Sequence, residues 1–144
     1  MISIKKKRKV IILTVLIVII ASGLFASHFY WAHKRDVAWA AINQYIEKQG
    51  IKKSDIKVSS FFTQDDGQYH RFIYVQGEKP NIAYEYIYKA EIRQVYFTAE
   101  YIDRKLILKH EWGGAGLLDS EMNTLKYAPL KNSYGYGSKY DVTP

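Results

Sequence analysis

The chain has 144 residues, no cysteine and a formal charge of +7. That length holds one modest domain with a short appendage, and the missing thiols exclude disulfide staples, thiolate metal sites, a cysteine nucleophile and a bacterial lipoprotein's modified start. The charge is concentrated: Lys5, Lys6, Lys7, Arg8 and Lys9 supply five positives, no acid precedes Asp36, and removing those five leaves the remainder at +2. A near-balanced body has no spread-out basic face to track phosphates, so nucleic acid is not an expected partner.

Lys5 to Val10 spells KKKRKV, which alone matches the core of a basic nuclear-import signal. The residues that follow, VIILTVLIVII, argue against it, because burying them in a soluble fold would need a much larger core. From Val10 to Ala26 there are 17 residues without charge, and only Thr14 and Ser22 are polar. As a helix rising ~1.5 Å per residue this run covers roughly 26 Å, and extending it through Ser27 to Trp31 reaches the ~30 Å hydrocarbon core of a bilayer. Val10, Ile11, Ile12, Leu13, Val15, Leu16, Ile17, Val18, Ile19, Ile20, Leu24 and Phe25 would form the lipid-facing wall. Phe29, Tyr30 and Trp31 stand where an interfacial aromatic belt belongs.

The five basic residues then act as a topology signal, holding the N-terminus in the cytoplasm and sending the body to the other side of a cell membrane. A cleavable signal is the competing reading. Lys5–Lys9 would be its basic region, Val10–Ile20 its apolar region, and Ala21-Ser22-Gly23 its small-residue cleavage site. Cleavage near Gly23 would release a small secreted effector or inhibitor that starts on the apolar stretch LFASHFYW.

Past the span, Asp36 is placed to cap a second helix over about Val37–Gln49, with Val37, Ala38, Ala41, Ile42, Tyr45 and Ile46 on one apolar face. Gly50 supplies the left-handed residue that stops it, and Ile51 folds back on the last turn. Strands are expected over Asp55–Thr63 and Tyr69–Val75, joined by a turn containing Asp66-Gly67. After a turn at Gly77–Pro80, two more strands follow at Asn81–Tyr88 and Ile92–Tyr101. Lys105–Glu111 reads as a short strand or a helical turn, and beyond Trp112 come a loop, a short helix and a Gly/Tyr/Ser-rich tail.

The fold class is therefore α+β: an N-terminal transmembrane helix, then one amphipathic helix packed on an antiparallel sheet of about four strands. The expected parts are a basic tip (1–9), a span (10–32), an α+β domain (33–112) and a partly irregular C-terminal extension (113–144).

Thirteen tyrosines are the compositional oddity. Tyr84, Tyr86 and Tyr88 alternate along one strand face and form a candidate recognition surface, for rings that grip peptide or stack on glycan. The competing account is that tyrosine is a good strand former that half-buries well. The histidines, His28, His33, His70 and His110, show no HExxH and no ligand spacing, so no metal site is expected. Asp65 and Asp66 suit a turn for backbone reasons, and Glu85 and Glu100 are explained by cross-strand pairing with Arg71 or Arg93. Ser59-Ser60 lacks a nucleophile elbow, and Gly113–Gly116 lacks the frame of a phosphate loop. No catalytic constellation, cofactor or metal is expected, and the chain does not read as an enzyme.

The lysine-rich start, the single span, YIEKQGIKKSDI (residues 45–56), a hairpin and YEYIYKAEIRQVYF (residues 84–97) resemble a family of short single-pass proteins of Gram-positive bacteria, catalogued as a domain of unknown function. The resemblance covers about residues 1–105 and carries over no functional residue, because the family has no assigned activity. The element order is also similar to PepSY-like and cystatin-like domains, which bind or inhibit. Taken with the absence of paired catalytic groups, the expected protein is a non-enzymatic, membrane-tethered extracytoplasmic domain. Its partners would be the lipid bilayer and an envelope protein, peptide or glycan, held by the sheet edge or the tyrosine face.

Overall fold

The apolar segment and the amphipathic stretch after it form one helix, α1 (Ile4–Lys48). Asp36 lies inside it and caps nothing, contrary to its expected role. Ala32 to Asp36 contain neither glycine nor proline, so nothing interrupts the backbone ladder there. The computed structural model describes residues 4–111, 113–130 and 140–141. Two units divide the chain, Met1–Asp36 and Val37–Pro144.

Within the first unit, α1 is long and apolar enough to cross a membrane by length and composition. Its side chains from Ile4 to Trp31 are exposed to whatever surrounds them. In the second unit the C-terminal turns of α1 bury Ala38, Ala41, Ile42, Tyr45 and Ile46. The helix then ends as its sequence directs. Gly50 takes φ +84°, its N–H donates to Glu47 O at 2.9 Å, and Ile51 N donates to Ile46 O at 3.2 Å. Those two bonds make a Schellman stop, with Ile46 and Ile51 both in the core beneath it.

A single 3-10 turn (Lys53–Asp55) leads into β1 (Ile56–Thr63), which pairs antiparallel with β2 (Tyr69–Val75) through a hairpin. Asp66 Oδ1 accepts from Gln68 N at 2.8 Å in that turn, which is why an aspartate suits it. β3 (Ile82–Lys89) and β4 (Gln94–Tyr101) complete the meander in the order β1-β2-β3-β4. Each expected strand lies within two residues of its observed bounds. The doubtful segment near Lys105 is the helical turn α2 (Arg104–Leu108), started by Asp103, whose Oδ1 accepts from Lys105 N at 2.7 Å.

Two-residue strands cover the far edge of β4. β5 (Ala115–Gly116) pairs with Glu100 and Tyr101, and β6 (Tyr140–Asp141) pairs with Gln94 and Val95. The rest of the expected Gly/Tyr/Ser-rich tail lies outside the described residues. Between them, α3 (Asp119–Met122) follows β5.

The sheet buries both faces. On one, α1 packs on Ile73, Val75, Tyr84, Tyr86, Val95 and Phe97; on the other, Ile102 and Ile107 cover Phe72, Tyr74 and Ala83. Leu117, Met122 and Leu125 join the α1-side core. A domain boundary at residue 112 would therefore cut that core, and the extension belongs to the fold at least to Leu130, which packs against it. Sequence reading places a loop and a short helix here, but a four-residue helix is shorter than the window in which periodicity tells an inward face from an outward one.

Candidate functional site

The tyrosine face is not a surface. Tyr84, Tyr86 and Tyr88 alternate as expected, but on the side of the sheet that α1 covers, where they are 0%, 0% and 6% exposed. The hydroxyls of Tyr84 and Tyr86 are used internally. Tyr84 donates to Glu78 Oε2 at 2.5 Å and accepts from Tyr127 N at 3.1 Å, and Tyr86 donates to Gln49 Oε1 at 2.6 Å. Burial, reinforced by the bond to Glu78, pushes the Tyr84 phenol far above its ordinary pKa. These rings pack with Phe97 and Tyr45 as a core cluster of tilted and edge-on aromatics. The amphipathic helix needed an apolar sheet face, and the tyrosines supply it.

The opposite face holds a buried polar cluster. His70 Nδ1 lies 2.6 Å from Glu85 Oε1, and its Nε2 lies 2.9 Å from Asp66 Oδ2. Burial disfavours the charged imidazole, but bonding to Glu85 and Asp66 and their negative charge outweigh it, so the pKa of His70 is raised. Asp66 is lowered: partial burial opposes this, while the Gln68 amide and His70 prevail. The anticipated salt bridge from Glu85 to Arg71 does not form, because in the β2–β3 register those residues point to opposite faces. Arg93 sits in the β3–β4 turn with φ +51°.

Arg71 occupies the α1 side. Its guanidinium lies over the Trp39 ring at 4.0 Å, its Nε donates to Ser59 Oγ at 3.0 Å and its Nη1 to Asn43 Oδ1. All three partners are neutral. Trp39, Phe61 and Tyr69 run beside it as an aromatic row, with centroid spacings of 5.1 and 5.6 Å. Sequence alone does not reveal this group, because a strand arginine suggests a cross-strand counter-ion while Trp39 and Asn43 lie outside the apolar stripe of the helix.

The other nominated residues stay apart. His28 and His33 are exposed on α1, whereas His110 ends α2 with φ +58° and stacks on Phe62 at 4.3 Å, so it is not on a strand. Gly113–Gly116 forms β5 and its approach: a Cβ on Gly114 would come within 2.6 Å of Glu100 Oε2. Among the described residues, no three His, Asp or Glu side chains are grouped to hold a metal ion.

In the apolar part of α1 both polar side chains are satisfied within the helix. Thr14 Oγ1 donates to Val10 O at 2.9 Å and Ser22 Oγ to Val18 O at 2.7 Å. That back-bonding is what a hydroxyl needs where no water is available.

Residues 5–86 match the family described as Protein of unknown function (DUF3139). The chain belongs to this family. The match ends at Tyr86, midway along β3, so in this DUF3139 chain β4 and the strap from Leu117 to Leu130 complete the core from outside the matched region. An uncharacterized 13.4 kDa protein of Bacillus thuringiensis is 42% identical over 92 residues, covering 63% of this chain and 79% of that relative. The likeness to a Gram-positive family without assigned function is thus upheld. No solved structure matches the chain.

Proposed function

We propose that this DUF3139 protein is a non-enzymatic binding domain, tethered by α1 to the cell membrane with its N-terminus in the cytoplasm and its α+β unit outside. The carrying observation is the chemistry of α1. Five cations precede an uncharged stretch whose two hydroxyls are already bonded to the helix backbone, which suits a segment surrounded by lipid. Release near Gly23 is the second reading. The apolar start LFASHFYW that cleavage would expose on the mature protein favours the anchor over it.

The binding surface is the outer edge of β1. The sheet shields its other edge, where β5 and β6 pair with the two ends of β4, while among the described residues no strand pairs with the outside of β1. Eight residues long, with Lys57 as its one charge and no proline, β1 carries few of the devices that discourage strand addition. An extended segment of an envelope protein or peptide would dock there through backbone hydrogen bonds.

The missing cysteines make topology directly testable. Single variants Ser3→Cys and Ser54→Cys are labelled on intact cells with a membrane-impermeant maleimide. Labelling at position 54 and none at position 3 supports the proposal; labelling of neither until the cells are lysed overturns the external placement.

A further inference from the structure

We infer that Arg71 and the outer edge of β1 form one recognition site for an extended, acidic segment of a partner protein, whose carboxylate completes the guanidinium. The inference rests on the edge-binding reading above and adds the chemistry of the partner. Arg71 is 5% exposed, and its contacts are an amide, a hydroxyl and an indole face. No carboxylate of a described residue pairs with it, whereas His70 on the other face has Glu85 and Asp66. A buried cation without an anion keeps its desolvation cost, and burial accordingly lowers the pKa of this group. The planar fork is suited to taking a carboxylate with two parallel bonds.

The geometry puts that fork near the open edge. Arg71 is directly opposite Phe61 in the β1–β2 register and leans to Ser59, which is exposed on the edge strand. A strand added outside β1 would place every second side chain on this same face, about 5 Å from Ser59 or Phe61. An acid opposite Ser59 would then face Arg71, and an apolar residue two positions away would meet the row of Trp39, Phe61 and Tyr69. Trp39 is 39% exposed, which leaves ring surface for that contact. A second copy of the chain is the poorer occupant. β1 reads IKVSSFFT, with a lysine and no acid, so pairing β1 with β1 would bring no anion to Arg71.

The test uses the full chain in lipid nanodiscs and two synthetic peptides, Thr-Val-Thr-Glu-Thr-Val-Thr and its Gln counterpart, with both ends blocked. The glutamate peptide should bind about tenfold more tightly than the glutamine peptide, with the difference shrinking as salt rises. Ser59→Asp, which gives Arg71 a carboxylate of its own, should raise the melting temperature and abolish the preference for the glutamate peptide. Equal binding of both peptides would overturn the role of Arg71 and leave edge binding standing. Binding of neither would overturn both, and an Arg71-dependent response to inorganic phosphate or to anionic vesicles alone would assign the cation to a phosphate instead. A drop in melting temperature on Ser59→Asp would also count against the inference, because it would mean that the cation gains nothing from an anion.

Discussion

Glu85 holds the Nδ1 side of His70 at 2.6 Å inside a face of the sheet where both side chains are about 95% removed from solvent. With Asp66 on Nε2, the ring is bonded at both nitrogens, an arrangement that favours the doubly protonated imidazolium. Its folded pKa lies above the ordinary 6.5. Stability from this group is complete below about pH 6.5 and is lost as pH rises through the raised value. Asp66 has the opposite sign: its contribution is present above its ordinary 3.8 and is lost as pH falls through its lowered value. Denaturation midpoints should therefore decline from pH 6 to pH 9, and His70→Gln should remove that decline. A wild-type profile that is flat across this range would show that folding does not shift the pKa of His70.

Glu85→Gln should be the costly change in this cluster, by about 3 kcal/mol, since it strands one side of a buried cation. Asp66→Asn should cost ~1 kcal/mol or less, because the Asp66 side chain is 43% exposed and solvent screens it. Urea denaturation at pH 6 measures both. Equal costs would contradict the burial difference.

The tyrosines give a separate test. Tyr84→Ala should lose roughly 3–5 kcal/mol as a cavity opens under α1, while Tyr86→Phe should lose ~1 kcal/mol with its bond to Gln49. If either protein kept full stability and lost partner capture, the tyrosines would be a recognition face after all.

Met122→Ala should cost roughly 2–5 kcal/mol, as expected of a fully buried core side chain. Cutting the chain after Glu111 should leave it unable to fold cooperatively, because Leu117, Met122 and Leu125 would be lost together. Thermal melts of both variants check this. A normal melt for the truncated chain would show that residues 5–86 and β4 suffice.

The meander was legible because its punctuation is local. Gly50 stops α1, Asp66-Gly67 turns the hairpin, and alternation marks the strands, each within a few residues. What the alternation of Tyr84, Tyr86 and Tyr88 could not say is which face α1 would cover, since both faces of this sheet are buried and periodicity carries no sign. The Arg71 group was hidden for a related reason. It assembles Trp39, Asn43, Ser59 and Arg71 from three elements, a coincidence of packing that no single window contains. The join of span and core helix into α1 is hidden in the sequence because Asp36 is a good capping residue, and a cap signal is silent on whether the preceding residues are already helical.

The central claim is that the chain stays in the membrane with its α+β unit outside. Its most direct test is the intact mass of the protein in membrane and medium fractions of a Gram-positive host, before and after protease is added to whole cells. A full-length species of 16.8 kDa in the membrane, degraded from outside while the basic tip survives, is the predicted result. A soluble species in the medium beginning near Leu24 would contradict it.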